Sequence, residues 1–430
     1  MSTSRMDELR GLLAAMGAPI SEDSRFSGET LERKLRLAIG YAQNMPSFAC
    51  RMPINPIQLP VWNTRNGMPA HKAFAHVSLG EAAEIERAEM GGGDASTAFP
   101  MSQNAFMDLR QTLMSLTKMY EEGRRGTLIQ DEKQQSSIAV QMLGLYALDT
   151  ETPLLSLLYE IAISPEEMTT GKMVSFVQSK LRGNENVIVC TPQEFTLVRR
   201  LLDINSSKVA PEYEASLSPD QRDFRRSFII PVGPLDQVQI GKITHNTGCV
   251  VCGSESTKNC SGCKIEKYCS SACQKANWKD HKVACRDMQG GTWTDFVFTD
   301  APSFNGQKLY AAIVSSSATP RKIAKTKMHG GDGEVDPPPN KHGDRAFLIK
   351  IQRTKDSLTP QLPPQQSVYD RLRTMSGYLE PESNVSAWSA FEREIPPQAV
   401  NVKIYRWARR IGDWGLSICL DRPPKEKIPW

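Results

Sequence analysis

The fold of this chain turns on one stretch, Cys249-Val-Val-Cys252, Cys260-Ser-Gly-Cys263, Tyr268-Cys269-Ser-Ser-Ala-Cys273-Gln274 and Trp278-Lys-Asp-His281-Lys-Val-Ala-Cys285. Seven of the ten cysteines of the chain fall here. The first residues, MSTSRMDELRGLLAAMG, lack the basic-then-apolar pattern of a secretory leader and read as an amphipathic helix. The expected setting is therefore intracellular, where thiols stay reduced and such a cluster is a metal site rather than a disulfide knot. Eight soft donors divide into two tetrahedral sets of four, which suits zinc: it is redox-silent and content with thiolate plus imidazole. Each CxxC pair is a turn that holds two sulfurs on one ion. Cys269 and Cys273, one helical turn apart, can face the same metal, as can His281 and Cys285.

The stretch resembles the MYND-type zinc finger. Beyond the donors, the resemblance rests on Ser261-Gly262 inside the second CxxC, Tyr268 before Cys269, Gln274 after Cys273, and Trp278 three residues before His281. It covers 37 of 430 residues. It implies interleaved ligand sets: Cys249, Cys252, Cys269 and Cys273 on one zinc, and Cys260, Cys263, His281 and Cys285 on the other. Two fully ligated ions leave no position for water or substrate, so a structural role is expected and zinc hydrolysis is disfavoured. The segment Tyr405-Arg-Trp-Ala408 with Gly412-Asp-Trp414 is also similar to tails of MYND proteins abundant in mushroom-forming fungi.

Gln274 and Trp278 stand four apart on a predicted short helix and share one face. The indole is a large apolar platform, and the amide can bond a peptide backbone. The resemblance implies that Ser261, Gln274 and Trp278 line a groove for extended proline-containing peptides of the P-x-L-x-P type. Extended prolines suit such a groove because little conformational entropy remains to be lost. The plainer alternative is that Trp278 packs only against the zinc core. Pro360-Gln-Leu362-Pro-Pro364 fits the same peptide pattern and is a candidate self-ligand, against the plainer reading as a proline-rich loop.

Working outward, the sequence predicts an α+β multidomain chain. Residues 1–205 read as a mainly helical domain, 206–248 as a connector, 249–285 as the two-zinc finger, and 292–430 as a mixed, strand-rich C-terminal domain. In the first region, Leu9, Leu12, Leu13 and Met16 repeat at helical spacing, as do Leu31, Leu35, Ala38 and Ile39. Phe106, Leu109, Leu113, Leu116 and Tyr120 form another stripe, and Phe195, Val198, Leu201 and Leu202 a fourth. Ile138–Leu148 and Leu154–Ile163 are apolar nearly all round, as buried helices are. A helix is also expected from Pro165. Strands are expected at Trp293–Phe298, Leu309–Val314, Ala346–Ile351, Val402–Tyr405 and Leu416–Leu420. Met101, Met107, Met114 and Met119 read as core filling rather than an adaptable binding face.

Composition excludes several classes. The chain is 40% hydrophobic and 23% charged, and its net charge of +4 is no electrostatic footprint for nucleic acid. The finger's six lysines against three acids look basic, but two Zn²⁺ with seven thiolates offset that excess. Arg321–Lys327 reads as solvated surface more than a nucleic-acid or import contact, and Arg406, Arg409 and Arg410 likewise. No apolar run is long enough for a membrane span. Cys50, Cys190 and Cys419 read as buried packing residues, and His71 and His76 complete no site. The loop at 330–339 lacks the spacing of a calcium loop. There is no G-x-S-x-G, P-loop, G-x-G-x-x-G or H-E-x-x-H.

The expected function is zinc-dependent protein interaction with proline-containing partners, not catalysis. Three alternatives fit the sequence less well. A SET-type lysine methyltransferase places this finger near its N-terminus and needs an Asn-His dipeptide, which this chain lacks. A RING ligase places its histidine nearer the middle of the ligand order. A chromatin or nucleic-acid regulator lacks the basic face.

Overall fold

The computed structural model describes residues 3–20, 26–46, 49, 52–62, 69–74, 104–163, 186–215, 224–244, 248–251, 254, 257–309, 335–343, 345–354, 364–399 and 401–424. Two compact units emerge, one from residues 1–20, 31–235 and 316–319, the other from 21–30, 236–315 and 320–430.

The first unit contains α1 (Thr3–Ala15), α2 (Gly28–Ala42, shared with the other unit at its first turn), α3 (Ala70–Phe74) and α4 (Ala105–Glu121). It continues with β1 (Gly126–Asp131), β2 (Ser136–Ala147), β3 (Pro153–Ile163), β4 (Asn186–Cys190), α5 (Pro192–Ser206), α6 (Pro211–Ala215) and β5 (Arg225–Ile229). The four apolar stripes form α1, α2, α4 and α5, and most of their stripe residues are buried. Asn104 caps α4 by accepting from the Phe106 N–H at 3.0 Å, and Thr191 caps α5 by accepting from the Glu194 N–H at 3.2 Å.

The largest departure from the sequence reading is the sheet. Ile138–Leu148 and Leu154–Ile163 are not helices but the hairpin strands β2 and β3 of a five-stranded sheet, ordered β4-β1-β2-β3-β5. Leu154, Leu155, Leu157, Leu158 and Tyr159 are all fully buried, so β3 is covered on both faces. Such a strand loses its period-2 alternation and reads like a buried helix. Only the tight Asp149–Thr152 turn, where Asp149 Oδ1 accepts from the Glu151 N–H at 2.9 Å, betrays the hairpin. The 206–248 stretch is also more than a connector, because Arg225–Ile229 pairs with β3 as the edge of this sheet.

Other expectations resolve locally. Met107, Met114 and Met119 are half-buried on α4 rather than core; Met101 lies outside the described residues. His71 Nδ1 sits 2.6 Å from Glu121 Oε2, an ordinary surface pair, and His76 lies outside the described residues. Cys190 is buried, and burial pushes its thiol up to about 12, so it is inert packing. Cys50, the helix expected from Pro165 and the Arg321–Lys327 run lie outside the described residues.

The second unit begins with α7 (Gln237–Thr244), the strands β6 (Lys258–Asn259) and β7 (Lys267–Tyr268), and α8 (Ser271–Gln289). Then follow β8 (Trp293–Thr299), the short pair β9 (Ser303–Phe304) and β10 (Gln307–Lys308), β11 (Phe347–Thr354), β12 (Gln365–Asp370) and β13 (Ser376–Leu379). The chain closes with α9 (Val385–Glu394), β14 (Val402–Arg410) and β15 (Gly415–Cys419). Six of these strands form a closed barrel, β11-β12-β13-β8-β15-β14. Four of the five expected strand regions lie in it; Leu309–Val314 falls outside the described residues after Leu309. Alternate residues Phe296, Phe298, Ile349, Ile351, Leu416 and Ile418 fill its core, and α9 adds Phe391, whose ring meets Phe296 edge to face at 6.1 Å.

The C-terminal arginines do not make a basic face. Arg406 donates to Leu420 O at 2.7 Å and pairs with Glu394. Arg409 stacks 3.8 Å over the Trp293 ring, and Arg410 donates to the backbone oxygens of Pro338, Gly412 and Asp413. Each is taken up by barrel architecture. No helix among the described residues is long and apolar enough to cross a membrane.

Candidate metal centre

The finger is assembled from three local devices. The first is the β6–β7 hairpin, whose connection carries the second CxxC: the Cys260 N–H donates to Glu266 O at 2.8 Å and the Lys264 N–H to Cys260 O at 2.9 Å. Lys264 adopts φ 59°, the left-handed turn that closes this knuckle. The second is α8, capped by Ser270, whose Oγ accepts from the Cys273 N–H at 3.2 Å. That cap fixes Cys269 just before the helix and Cys273 in its first turn. The third is the i, i+4 pair His281 and Cys285, which the same helix presents on one face.

These devices bring together Cys260, Cys263, His281 and Cys285, all buried, and separately Cys249, Cys269 and Cys273; within each group the donor atoms lie within 4.8 Å of one another. Cys252 lies outside the described residues. In the first group Cys260 Sγ is 3.8 Å from Cys285 Sγ, and Cys263 Sγ is 3.6 Å from His281 Nε2. A tetrahedral zinc with bonds of about 2.3 Å to sulfur and about 2.0 Å to nitrogen sets edges of about 3.8 and 3.5 Å. Cys269 Sγ and Cys273 Sγ are 3.5 Å apart, close to the same edge. Donor type, number and spacing all fit zinc. Burial lowers the His281 imidazole below its ordinary range, which keeps the ring neutral and able to donate its lone pair. Burial also pushes the Cys263 thiol up to about 12, so its proton leaves only when a cation replaces it.

A second layer holds the donors. Tyr268 is buried, its ring 5.8 Å from His281, and its hydroxyl accepts from Asn277 Nδ2 at 3.0 Å. Gln274 Nε2 lies 3.9 Å from Cys260 Sγ, and Gln289 Nε2 lies 3.9 Å from Cys285 Sγ. A Cβ on Gly262 would stand 2.9 Å from Cys285 Sγ and 2.3 Å from Gln289 Nε2, so a side chain here would displace the Gln289 amide and press on a metal donor. Asn277 and Gln289 were not singled out from sequence; their helical offset from Cys273, His281 and Cys285 was the available signal.

Of the three groove residues named from sequence, Ser261 is exposed on the knuckle, Gln274 is half-buried with its amide on Cys260, and Trp278 is 42% exposed. Trp278 also meets His281 edge to face at 6.1 Å, so one part of the indole backs the metal site and another faces solvent. Of the candidate self-ligand, Pro360 and Leu362 lie outside the described residues, and Pro364 is half-buried just before β12.

The finger does not hang free. Cys249, Cys260, Cys263, Tyr268 and Cys285 share one buried cluster with Met288, at the end of α8, and with Cys419 of β15; Trp293 and Trp407 pack against it. Between α8 and β8, a Cβ on Gly291 would meet Cys419 Sγ at 2.6 Å.

Comparison with known proteins agrees with this geometry. Residues 249–285 match the family model of the MYND finger. Ubiquitin carboxyl-terminal hydrolase 19 of Arabidopsis thaliana is 39% identical over 69 residues, 16% of this chain and 8% of that protein. SET domain and MYND-type zinc finger protein 6 of Schizosaccharomyces pombe is 35% identical over 68 residues, 14% of each chain. Histone-lysine N-methyltransferase SMYD3 of Homo sapiens is 48% identical over 37 residues, 9% of each. The chain thus covers no more than about a seventh of these relatives. No solved structure matches it significantly. The chain carries a MYND zinc finger, a protein-interaction module with two Cys/His groups positioned for zinc.

Proposed function

We propose that this protein is an intracellular interaction or scaffold protein whose finger, held by two structural zinc ions, binds extended proline-containing peptides. Cys260, Cys263, His281 and Cys285 hold one ion; Cys249, Cys269, Cys273 and, from the resemblance, Cys252 hold the other. Four protein donors leave zinc no open coordination position, so its role is architectural: it supplies the folding energy that so small a core lacks. No catalytic residue is assigned.

The observation that carries the peptide reading is Trp278. An indole 42% exposed on a helix face, backed by the His281 ring, offers a rigid apolar platform that the zinc core alone does not require. Gln274 on the same face and Ser261 beside Cys260 supply polar groups at its edge. The same reading makes Pro360-Gln-Leu362-Pro-Pro364 a candidate internal ligand. Two relatives carry names of SET-domain or methyltransferase proteins, but their similarity to this chain is confined to the finger region, so methyl transfer is not carried over.

The test titrates the zinc-loaded full chain with a fluorescein-labelled peptide containing Pro-Gln-Leu-Pro-Pro, read by polarisation. Binding that falls at least tenfold in Trp278→Ala, with two zinc ions retained, supports the reading. Equal binding by both proteins, or none by either when Pro360, Leu362 and Pro364 are all replaced by alanine to free the groove, defeats it.

A further inference from the structure

The barrel wall carries a recognition surface of its own, built on β8. Strand β13 is four residues long and pairs with β8 only at Phe298 and Thr299. On the opposite side β15 follows β8 all the way from Trp293 to Val297. The Phe298 N–H donates toward that side, to Trp414 O at 2.9 Å. By the alternation of an antiparallel ladder, the backbone groups of Val297 and Asp295 point the other way. Those of Val297 are taken by one side chain: Asn384 Oδ1 accepts from its N–H at 2.7 Å, and Asn384 Nδ2 donates to its oxygen at 2.8 Å. The carboxamide mimics one residue of a neighbouring strand. Among the described residues no strand continues that ladder to Asp295.

Beside this edge lies an open groove of about 750 Å³. Its apolar wall is Val297, Val385 and Ile411, exposed by 46%, 77% and 40%, together with the half-buried Trp414. Singly such residues are unremarkable on a surface; converging on one groove they mark a contact site. The charged groups in its lining are Asp295 and Glu382, and no lysine or arginine lines it. Asp295 accepts from the Ser417 hydroxyl at 2.6 Å, which holds its carboxylate in place. Helix α9 starts here with no side-chain cap, since Asn384 is committed to Val297 and to Glu380 O. The roughly half-charge of a helix end is outweighed by two full carboxylates, so the field at the groove is negative.

A strand edge asks for an extended main chain, the apolar wall for a branched side chain, and the acidic rim for a cation. We infer that this edge and groove bind an extended segment of a partner protein in which a branched apolar residue and a lysine or arginine stand two apart, on one face of the strand. Asp295 and Val297 lie on one face of β8, so as the main chain adds at Asp295 the apolar side chain enters the groove and cations two residues to either side of it meet Asp295 and Glu382. This site is separate from the finger's peptide face and does not depend on it.

The test is fluorescence polarisation on the zinc-loaded full chain with a labelled Lys-Thr-Val-Thr-Lys-Thr peptide, which puts lysine and valine on one face of the strand. Its controls are a Glu-for-Lys peptide and a peptide N-methylated at alternate amides. Expected is saturable binding of the lysine peptide, at least tenfold weaker for both controls, and at least tenfold weaker in Val385→Arg and in the Asp295→Asn/Glu382→Gln double variant. Trp278→Ala leaves it unchanged. Val385→Arg alters a mostly exposed side chain, so its far-ultraviolet circular dichroism should match the parent. Absence of binding, equal affinity for the lysine and glutamate peptides, or full affinity in Val385→Arg overturns the inference. So does concentration-dependent dimerisation, seen by sedimentation, that Val385→Arg abolishes, for then the occupant is a second copy.

Discussion

Gln274 Nε2 stands 3.9 Å from Cys260 Sγ, so a residue on the proposed peptide face of the finger also touches a zinc donor. Trp278 reaches the metal only through the His281 ring. The two neighbours on one helix face are therefore separable by experiment. Gln274→Ala should weaken zinc binding by about tenfold, in the range found for residues that orient ligands, and Trp278→Ala should not. Competition for zinc with a chromogenic chelator measures both. Equal zinc affinity in the two variants would show that the Gln274 amide does not support the donor.

The interleaving of the metal groups predicts a stoichiometry. His281→Ala should remove one of two zinc ions and leave Cys249, Cys269 and Cys273 able to hold theirs, as measured by elemental analysis of the purified chain. Retention of two ions would mean that His281 is not a ligand. The pH response has a definite sign. Zinc needs neutral imidazole and thiolate; burial lowers His281, so the imidazole gives way to protons only below its ordinary range, while the thiolates are held against protons by the bound cation. Zinc should be retained through pH 6.5 and lost with further acidification, over about pH 6 to 4.

Lys350 is 8% exposed on β11, its ammonium 5.5 Å from the Tyr369 ring, and burial lowers its pKa to about 8. The folded state thus binds fewer protons than the unfolded state between about pH 8 and 10.4, and barrel stability should rise with pH across that window. Below it the cost is fully present. Lys350→Met should raise stability at pH 7 by an amount of order 1 kcal/mol, capped at about 3, and the gain should vanish near pH 10. Urea unfolding at the two pH values decides this. A gain independent of pH would mean that the ammonium is not the source.

At the finger–barrel junction, Gly291→Ala places a methyl 2.6 Å from Cys419 Sγ. The expected cost is about 1–3 kcal/mol, as for other overpacked cores. Cys419→Ala removes that sulfur, so the double variant should recover part of the loss. A double-mutant cycle showing strict additivity would mean that the two groups do not meet.

The metal groups were legible because their geometry is local: two residues between cysteines make a knuckle, and four along a helix make a face. Helices α1, α2, α4 and α5 were legible for the same reason, each carrying a stripe such as Leu109, Leu113 and Leu116 that is buried on one side only. The β2–β3 hairpin was not, because burial on both faces erases the alternation that marks a strand. Arg406 and Arg410 looked like surface charge, since nothing in Val402–Arg410 announces that backbone oxygens elsewhere in the barrel will receive them. The groove on β8 had no signal at all: Val297, Val385 and Ile411 are neighbours only after the barrel closes.

The junction at Gly291 also bears on avidity. The strand that begins two residues later carries Trp293 against the finger's buried cluster, and then Asp295 and Val297 at its open edge. Finger and edge are consequently borne by one rigid piece of chain, without a flexible tether between them. For a partner with two suitable segments, the first contact turns the second into an intramolecular step, whose effective concentration reaches about millimolar when the spacing of the segments matches. A fixed span makes that gain selective: partners are sorted by the distance between their two segments as well as by what each segment contains.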